Sequence, residues 1–211
     1  MNPVHHPDEN LWLEYVTGQL DPAPRTLLEG HLAFCGTCRV QASGLAEPGA
    51  AHFAGNAPAA EVPRGLLESI LAKVKPLRPP AVGAEALPLP RSLWPLLQGL
   101  EEGKWQGALT PGFRFLRIFE NGGPGLFLVH LKAGRPFPMH GHTGLERSLI
   151  LAGGLRDESG VLEAGDFEET ATDRVHSPVA LADEDCWLMA SLEGSLRFKG
   201  WRGLLQKAAG Q

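Results

Sequence analysis

The sequence predicts a multidomain α + β protein, in which a small all-α helical domain is followed by an antiparallel β-barrel. Apolar residues recur at helical spacing up to about residue 75, whereas short apolar runs separated by glycine-rich turns follow from residue 113. Prolines cluster between these two parts, as is typical of an extended linker. We therefore divide the chain into a helical domain at residues 1–75, a linker at 76–90 and a barrel domain at 91–211. We expect few packing contacts between the domains, so that each folds alone.

Charge and hydropathy exclude two classes of function. The 211 residues carry a formal net charge of −5, and no segment has the basic footprint of a protein that binds nucleic acid directly. No apolar run approaches the ~20 residues that span a bilayer, and the first residues lack the basic and apolar regions of a secretory signal. We expect a cytoplasmic protein without membrane association.

Three helices are predicted before residue 46. The first covers residues 8–17 and ends at a glycine. The second opens at Asp21, with Pro22 in the first helical position. A third is expected from residue 38 to about 45, because residues 43–62 are rich in Ala, Gly and Pro without periodicity and therefore indicate a loop.

A fourth helix is predicted over residues 63–75, because apolar residues recur there at i, i+4 and i+8. This stripe can pack on the domain's own helices, or it can grip a helical partner. The two uses are compatible. The candidate partner-binding residues are Leu66, Leu67, Ile70, Leu71 and Val74.

The second helix carries a candidate metal site. His31 and Cys35 lie one turn apart on one helix face, and Cys38 follows across a tight turn, so the three side chains can converge on one tetrahedral ion. A fourth ligand would close the site. His5 and His6, just ahead of the first helix, are both available.

A second candidate metal site lies in the barrel domain. His140 and His142 are two residues apart, so on a strand both point to the same side. Glu146 begins the next strand, and His176 is available downstream. Three imidazoles and a carboxylate suit Zn, Fe, Mn, Ni or Cu.

Short strands around this site favour a barrel, and a short helical turn is expected at residues 204–209. Cys186 lies on a late strand, where it either faces the metal pocket or, as is more common, belongs to the core. The predicted strands are 113–120, 126–132, 147–152, 155–158, 161–162, 178–181, 187–191 and 196–199.

The stretch from Gly134 to Gly153 resembles the first motif of the cupin superfamily, G-x5-H-x-H-x3-E-x6-G, at every defined position. The second cupin motif is partial: Gly165 and His176 have the expected separation, but its Pro, Gly and Asn positions are occupied by Ala171, Asp173 and Ala180. The resemblance implies a cupin-type barrel with His140, His142, Glu146 and His176 as metal ligands.

The H-x3-C-x2-C pattern with an upstream His, placed ahead of a cupin motif, resembles the ChrR family of zinc-binding anti-sigma factors. The resemblance covers nearly the whole chain. It implies a Zn²⁺ ion bound by His6, His31, Cys35 and Cys38, with His5 as the substitute for His6. It also implies Zn²⁺ or another divalent transition metal in the barrel.

The function that this resemblance implies is regulatory. The helical domain would bind and inhibit an extracytoplasmic-function sigma factor, and the cupin domain would convey an oxidative signal, singlet oxygen or organic hydroperoxide. The alternative is a cupin metalloenzyme, a dioxygenase or isomerase, with an accessory zinc domain. A separate helical domain with an apolar stripe favours the regulatory hypothesis, because a catalytic cupin does not need one.

Overall fold

A computed structural model describes residues 2–56, 61, 63–74, 89–97, 105–107, 111–119, 123–172 and 174–199. Helices occupy the first part of these ranges and antiparallel strands the second. The predicted order of an all-α part followed by a β-barrel is therefore confirmed. The linker predicted at 76–90 lies outside the described residues except for its last two, and the turn predicted at 204–209 lies outside them entirely.

The first helix begins and ends where the sequence predicts, and the second begins where it predicts. Helix α1, Glu9–Thr17, is capped by the Asp8 carboxylate, which accepts a hydrogen bond of 2.8 Å from Leu11 N. It ends at Gly18, whose φ of 73° is the left-handed conformation that glycine adopts most easily. Helix α2, Pro22–Phe34, starts with proline in its first turn and ends at Cys35.

Helix α3, Gly36–Asn56, is longer than predicted. The loop expected at residues 43–62 was wrong as far as Asn56, because the helix continues through Pro48. Proline removes one hydrogen bond of the helix ladder, but the alanines at 46, 50, 51 and 54 are the residues with the highest helix propensity.

Helix α4, Leu66–Lys73, forms within the predicted region and buries none of its residues. Among the described residues, its apolar stripe therefore does not pack on the other helices of the domain. A 3₁₀ turn at Arg91–Leu93 and the short helix α5, Trp94–Leu97, were not predicted. None of the helices in the described ranges combines the length and the hydrophobicity that crossing a membrane requires.

The described strands are β1 Phe113–Phe119, β2 Gly125–Leu131, β3 His140–His142, β4 Glu146–Ala152, β5 Gly154–Asp157, β6 Gly160–Glu163, β7 Phe167–Thr170, β8 Val179–Ala180, β9 Cys186–Leu192 and β10 Leu196–Phe198. They form three antiparallel sheets. The largest has the order β1-β2-β9-β4-β7, the second is β6-β5-β8, and the third pairs β10 with β3. β1 and β2 form the predicted hairpin, whereas β7 was missed because only one of its four residues is apolar.

The central strands β2 and β9 of the five-stranded sheet are buried on both faces. Along β9, Leu188 and Ala190 belong to the core inside the barrel, whereas Trp187 and Met189 belong to a second core shared with the helices. The helical side of this second core includes the fully buried Leu27 and Leu28 of α2. One side of the sheet therefore closes the barrel, and the other supports the helical domain.

This shared core differs from the expectation that few contacts join the two domains. Gly30 of α2 lies so close to the barrel that a Cβ atom there would be 2.6 Å from Leu149 Cδ2 and 3.2 Å from Leu93 Cδ1. The missing side chain lets the helix approach the sheet. The proline-rich segment separates the domains along the sequence but not in space.

Candidate metal centres

The N-terminal cluster forms where α2 ends and α3 begins. His31 is in the last turn of α2, Cys35 is its C-cap residue, and Cys38 is in the first turn of α3. These three side chains are buried, and the exposed His6 approaches from the segment ahead of α1. One ligand atom from each of the four residues lies within 4.8 Å of every other.

The distances within this cluster suit a tetrahedral ion. His6 Nδ1 lies 3.5 Å from Cys35 Sγ and 3.4 Å from Cys38 Sγ, and His31 Nε2 lies 3.3 Å from Cys38 Sγ. Zinc bound by thiolate and imidazole at ordinary bond lengths separates sulfur from nitrogen by roughly 3.6 Å. The four residues therefore fit a small tetrahedral metal ion, and the sequence prediction that they lie together agrees with the geometry.

Between His5 and His6, the structure places only His6 at the cluster. The His5 side chain instead lies beside the barrel residue Asp166, with Nδ1 3.3 Å from Oδ2.

The protonation of the cluster also suits metal binding. Burial lowers the pKa of His31, so its imidazole is neutral at physiological pH. Its Nδ1 donates a hydrogen bond of 2.8 Å to the Gly165 carbonyl, which leaves the Nε2 lone pair facing the cluster. Burial first, and then the Cys35 thiol, raise the pKa of Cys38 to about 12. Without a cation this buried thiol keeps its proton, and a bound metal would replace that proton.

The barrel cluster joins β3, β4 and the chain after β7. His140 and His142 share one face of β3, Glu146 opens β4, and the backbone of His176 bridges to His140. His176 Nε2 lies 3.1 Å from His140 Nε2 and 3.3 Å from His142 Nε2. Glu146 Oε2 is 2.9 Å from His142 Nε2 and 3.9 Å from the other two Nε2 atoms. The structure thus brings all four predicted residues together.

These contacts fit a metal better than a hydrogen-bond network. His140 Nδ1 donates to the Pro138 carbonyl at 2.8 Å, so its Nε2 presents a lone pair to the other imidazoles. Burial lowers the pKa of both His142 and His176, which opposes their protonation. Two imidazole nitrogens on one metal lie roughly 3.0 to 3.4 Å apart, as they do here. The cluster could therefore hold a divalent transition metal.

A cavity of about 400 Å³ adjoins the barrel cluster. Glu146 and His176 reach its wall, while most of the lining is apolar. The aromatic part of that lining is Phe113, Phe115, Phe127, Phe137 and Phe198. Cys186 does not line this cavity; it is fully buried in the core inside the barrel, where burial raises the pKa of its thiol to about 12. A small apolar molecule in the cavity would reach the cluster without meeting a reactive thiol.

Sequence reasoning missed two barrel residues, one that contacts His31 of the N-terminal cluster and one that contacts the segment just before His6. Gly165 and Asp166 lie in the turn between β6 and β7, and their partners are far away in sequence. A lone Asp in a glycine turn has no periodic or motif signal. Gly165 was noted only as part of the incomplete cupin motif.

A helical part with a four-residue His/Cys cluster thus docks on a β-barrel with a second four-residue cluster, and each cluster could hold a metal ion. Comparison with known proteins identifies the family. The family model described as the ChrR cupin-like domain matches residues 100–195. The anti-sigma-E factor ChrR of Cereibacter sphaeroides is 33% identical over 203 residues, which cover 93% of each chain. The chain belongs to the ChrR family of anti-sigma factors.

A solved structure supports the same assignment. The crystal structure of Rhodobacter sphaeroides SigE in complex with the anti-sigma ChrR matches with a TM-score of 0.66 and 31% identity. The match covers 90% of this chain and 98% of that chain. The fold expected from the family resemblance is therefore confirmed across nearly the whole sequence, and the family is regulatory, which favours this interpretation over the metalloenzyme.

Proposed function

We propose that this chain is an anti-sigma factor that binds an extracytoplasmic-function sigma factor and prevents it from joining RNA polymerase. Such a partner places the chain in the cytoplasm, where polymerase acts. The observation that carries the proposal is helix α4. All five candidate partner-binding side chains, four on α4 and Val74 at its C-cap, are exposed although each is apolar.

The exposure of α4 is unusual for a helix of this composition. Leu67, Leu71 and Val74 are 63%, 60% and 62% exposed, and Leu66 and Ile70 are 41% and 49% exposed. An amphipathic helix normally derives its stability from burying its apolar face. In the described part of the chain none of its eight residues is buried, so its apolar face is available to a partner. The relative solved with SigE supports a sigma factor as that partner.

For the N-terminal cluster we propose a structural Zn²⁺ ion held by His6, His31, Cys35 and Cys38. Two thiolates and two imidazoles fill a tetrahedral shell and leave no position for a substrate. The ion would fix the junction between α2 and α3 and the segment ahead of α1. We retain residues 1–75, 76–90 and 91–211 as the proposed helical domain, linker and cupin domain.

For the barrel we propose Zn²⁺ or another divalent transition metal on His140, His142, Glu146 and His176, and a sensory role. The apolar cavity that reaches Glu146 and His176 supports access of a small molecule to the cluster. Following the family resemblance, the signal would be oxidative, singlet oxygen or an organic hydroperoxide. The cavity would also suit a cupin enzyme, but membership of a regulatory family favours the sensor.

Co-purification tests this function. The tagged full-length chain is co-expressed with each extracytoplasmic-function sigma factor of its source genome, beginning with any encoded next to it. We expect one of them to elute with the chain as a stable 1:1 complex in size-exclusion chromatography. A folded, metal-loaded chain that retains none of these sigma factors would overturn the proposal.

A further inference from the structure

The turn between β6 and β7, residues 164–166, is the part of the barrel that lies against the N-terminal cluster. Its Gly165 carbonyl accepts the hydrogen bond from His31 Nδ1 at 2.8 Å, and His31 is completely buried. A carbonyl oxygen only accepts, so this bond fixes the His31 tautomer whose Nε2 faces the cluster. The barrel therefore orients one of the two histidine ligands directly.

Asp166 in the same turn holds the segment that presents the other histidine. Its side chain is only 2% exposed, and its Oδ1 accepts hydrogen bonds from Val4 N at 2.8 Å and His5 N at 3.0 Å. Its Oδ2 accepts from Glu163 N at 2.8 Å. A backbone hydrogen bond also joins the start of β7 to this segment, because Phe167 N donates to His5 O at 3.1 Å. His6 directly follows Val4 and His5, the two residues whose backbone N–H groups Asp166 binds.

The charge of Asp166 suits this role. Burial alone would raise the pKa of its carboxyl, but hydrogen bonds from the backbone N–H groups of Glu163, His5 and Val4 outweigh burial and lower it. Asp166 is therefore ionised at neutral pH. Charge-assisted hydrogen bonds of this kind are stronger than those between neutral groups.

Glycine at position 165 permits the close approach. A Cβ atom there would lie 2.7 Å from Pro3 Cγ and 2.8 Å from Phe34 Cβ, and the residue has a φ of 94°. Pro3 and Phe34 belong to the segments that carry His6 and Cys35. The turn thus fits against the cluster at distances that a larger residue would prevent.

We infer that the β6–β7 turn is a positioning element of the N-terminal metal site, with Gly165 orienting His31 and Asp166 fixing the segment that presents His6. The site is then shared between the two domains. Metal binding is then coupled to the docking of the two domains: docking raises the metal affinity, and bound metal favours docking by the same factor. This inference rests on the proposed metal at the N-terminal cluster.

Cobalt binding to the full-length chain tests the inference. Co²⁺ on thiolates gives charge-transfer bands, and the described barrel cluster has only nitrogen and oxygen ligands, so these bands report on the N-terminal cluster alone. Asp166→Asn removes the charge and places an amide NH₂ among backbone donors. We expect its Co²⁺ affinity, measured against a competing chelator, to fall roughly 10- to 100-fold, the usual effect of losing such a supporting group.

The thiolate-to-cobalt charge-transfer bands should also shift in Asp166→Asn, because their energies depend on the ligand geometry. The matched control is Glu158→Gln, which removes a carboxylate charge from an exposed side chain in the turn between β5 and β6. Its affinity and spectrum should equal those of the wild type. Wild-type affinity and an unshifted spectrum in Asp166→Asn would overturn the inference.

Hydrogen exchange on the wild type provides a test that does not depend on the variant folding. Chelation should reduce protection at the amides of Val4, His5 and Phe167, which form the clamp. Unchanged protection after the metal is removed would also overturn the inference. A wild type without thiolate–cobalt bands would instead refute the proposed N-terminal metal, so the two failures are distinguishable.

Discussion

Replacing Leu67 and Leu71 of α4 by alanine should weaken sigma-factor binding without unfolding the chain. Both side chains lie one turn apart on the exposed helix and are 63% and 60% exposed. Alanine is the best helix former, and no buried contact is lost, so α4 should persist. The change removes surface that only a partner would cover.

The expected loss follows from this exposure. Leucine to alanine removes three carbon groups, worth about 0.8 kcal/mol each when fully buried, or roughly 2.4 kcal/mol per residue. Since about three fifths of each side chain is still available for burial by a partner, each residue should contribute roughly 1.5 kcal/mol to binding. The pair is then worth about 3 kcal/mol, which raises the Kd by about 150-fold.

Isothermal titration of the purified sigma factor into the double variant measures this change. Val179→Ala is the control, because Val179 is also an exposed apolar residue, 38% exposed, but lies on the barrel strand β8. The control should bind as the wild type does. A Kd within threefold of wild type for the Leu67→Ala, Leu71→Ala double variant would refute the assignment of α4 as the surface that binds the sigma factor.

Two further predictions concern the barrel and its contact with the helices. His176→Ala should strongly reduce the metal content of the barrel, measured by elemental analysis, because it removes one of four ligands. The variant should still bind the sigma factor but should no longer release it in response to at least one oxidant. Normal release of the sigma factor by a variant without barrel metal would exclude that metal from signalling. Gly30→Val should lower the thermal midpoint by several degrees, because its side chain would collide with Leu149, and overpacking of this kind costs roughly 1–3 kcal/mol. The control is Gly44→Val on α3, where a side chain would meet open space. Equal thermal midpoints for the two variants would contradict the close approach of α2 to the barrel.

Much of the candidate chemistry could be predicted from local spacing. His140 and His142 share a strand face, and His31 and Cys35 share a helix face, so short-range geometry brings these pairs together. His6 could not be chosen over His5 in this way. That choice depends on Asp166, which is 161 residues away from His5 and engages its backbone.

The sequence of β9 carries a signal that the two domains dock against each other, and our prediction did not use it. The β9 segment Cys-Trp-Leu-Met-Ala is apolar at every position, where a strand exposed on one face would alternate. Such a run indicates burial on both faces, and α2 covers the outer one. The extent of α3 was missed because residues 43–62, rich in Ala, Gly and Pro, show no apolar periodicity and were therefore predicted as a loop, although alanine has a high helix propensity.

In vitro transcription tests the central claim, that this chain inhibits a sigma factor, most directly. Full-length chain is added to the sigma factor before core polymerase and a promoter template. We predict that an equimolar amount abolishes the transcript, and that the Cys35→Ser, Cys38→Ser double variant, which lacks two thiolate ligands, does not inhibit. Full transcription in the presence of excess folded, metal-loaded wild type would contradict the account.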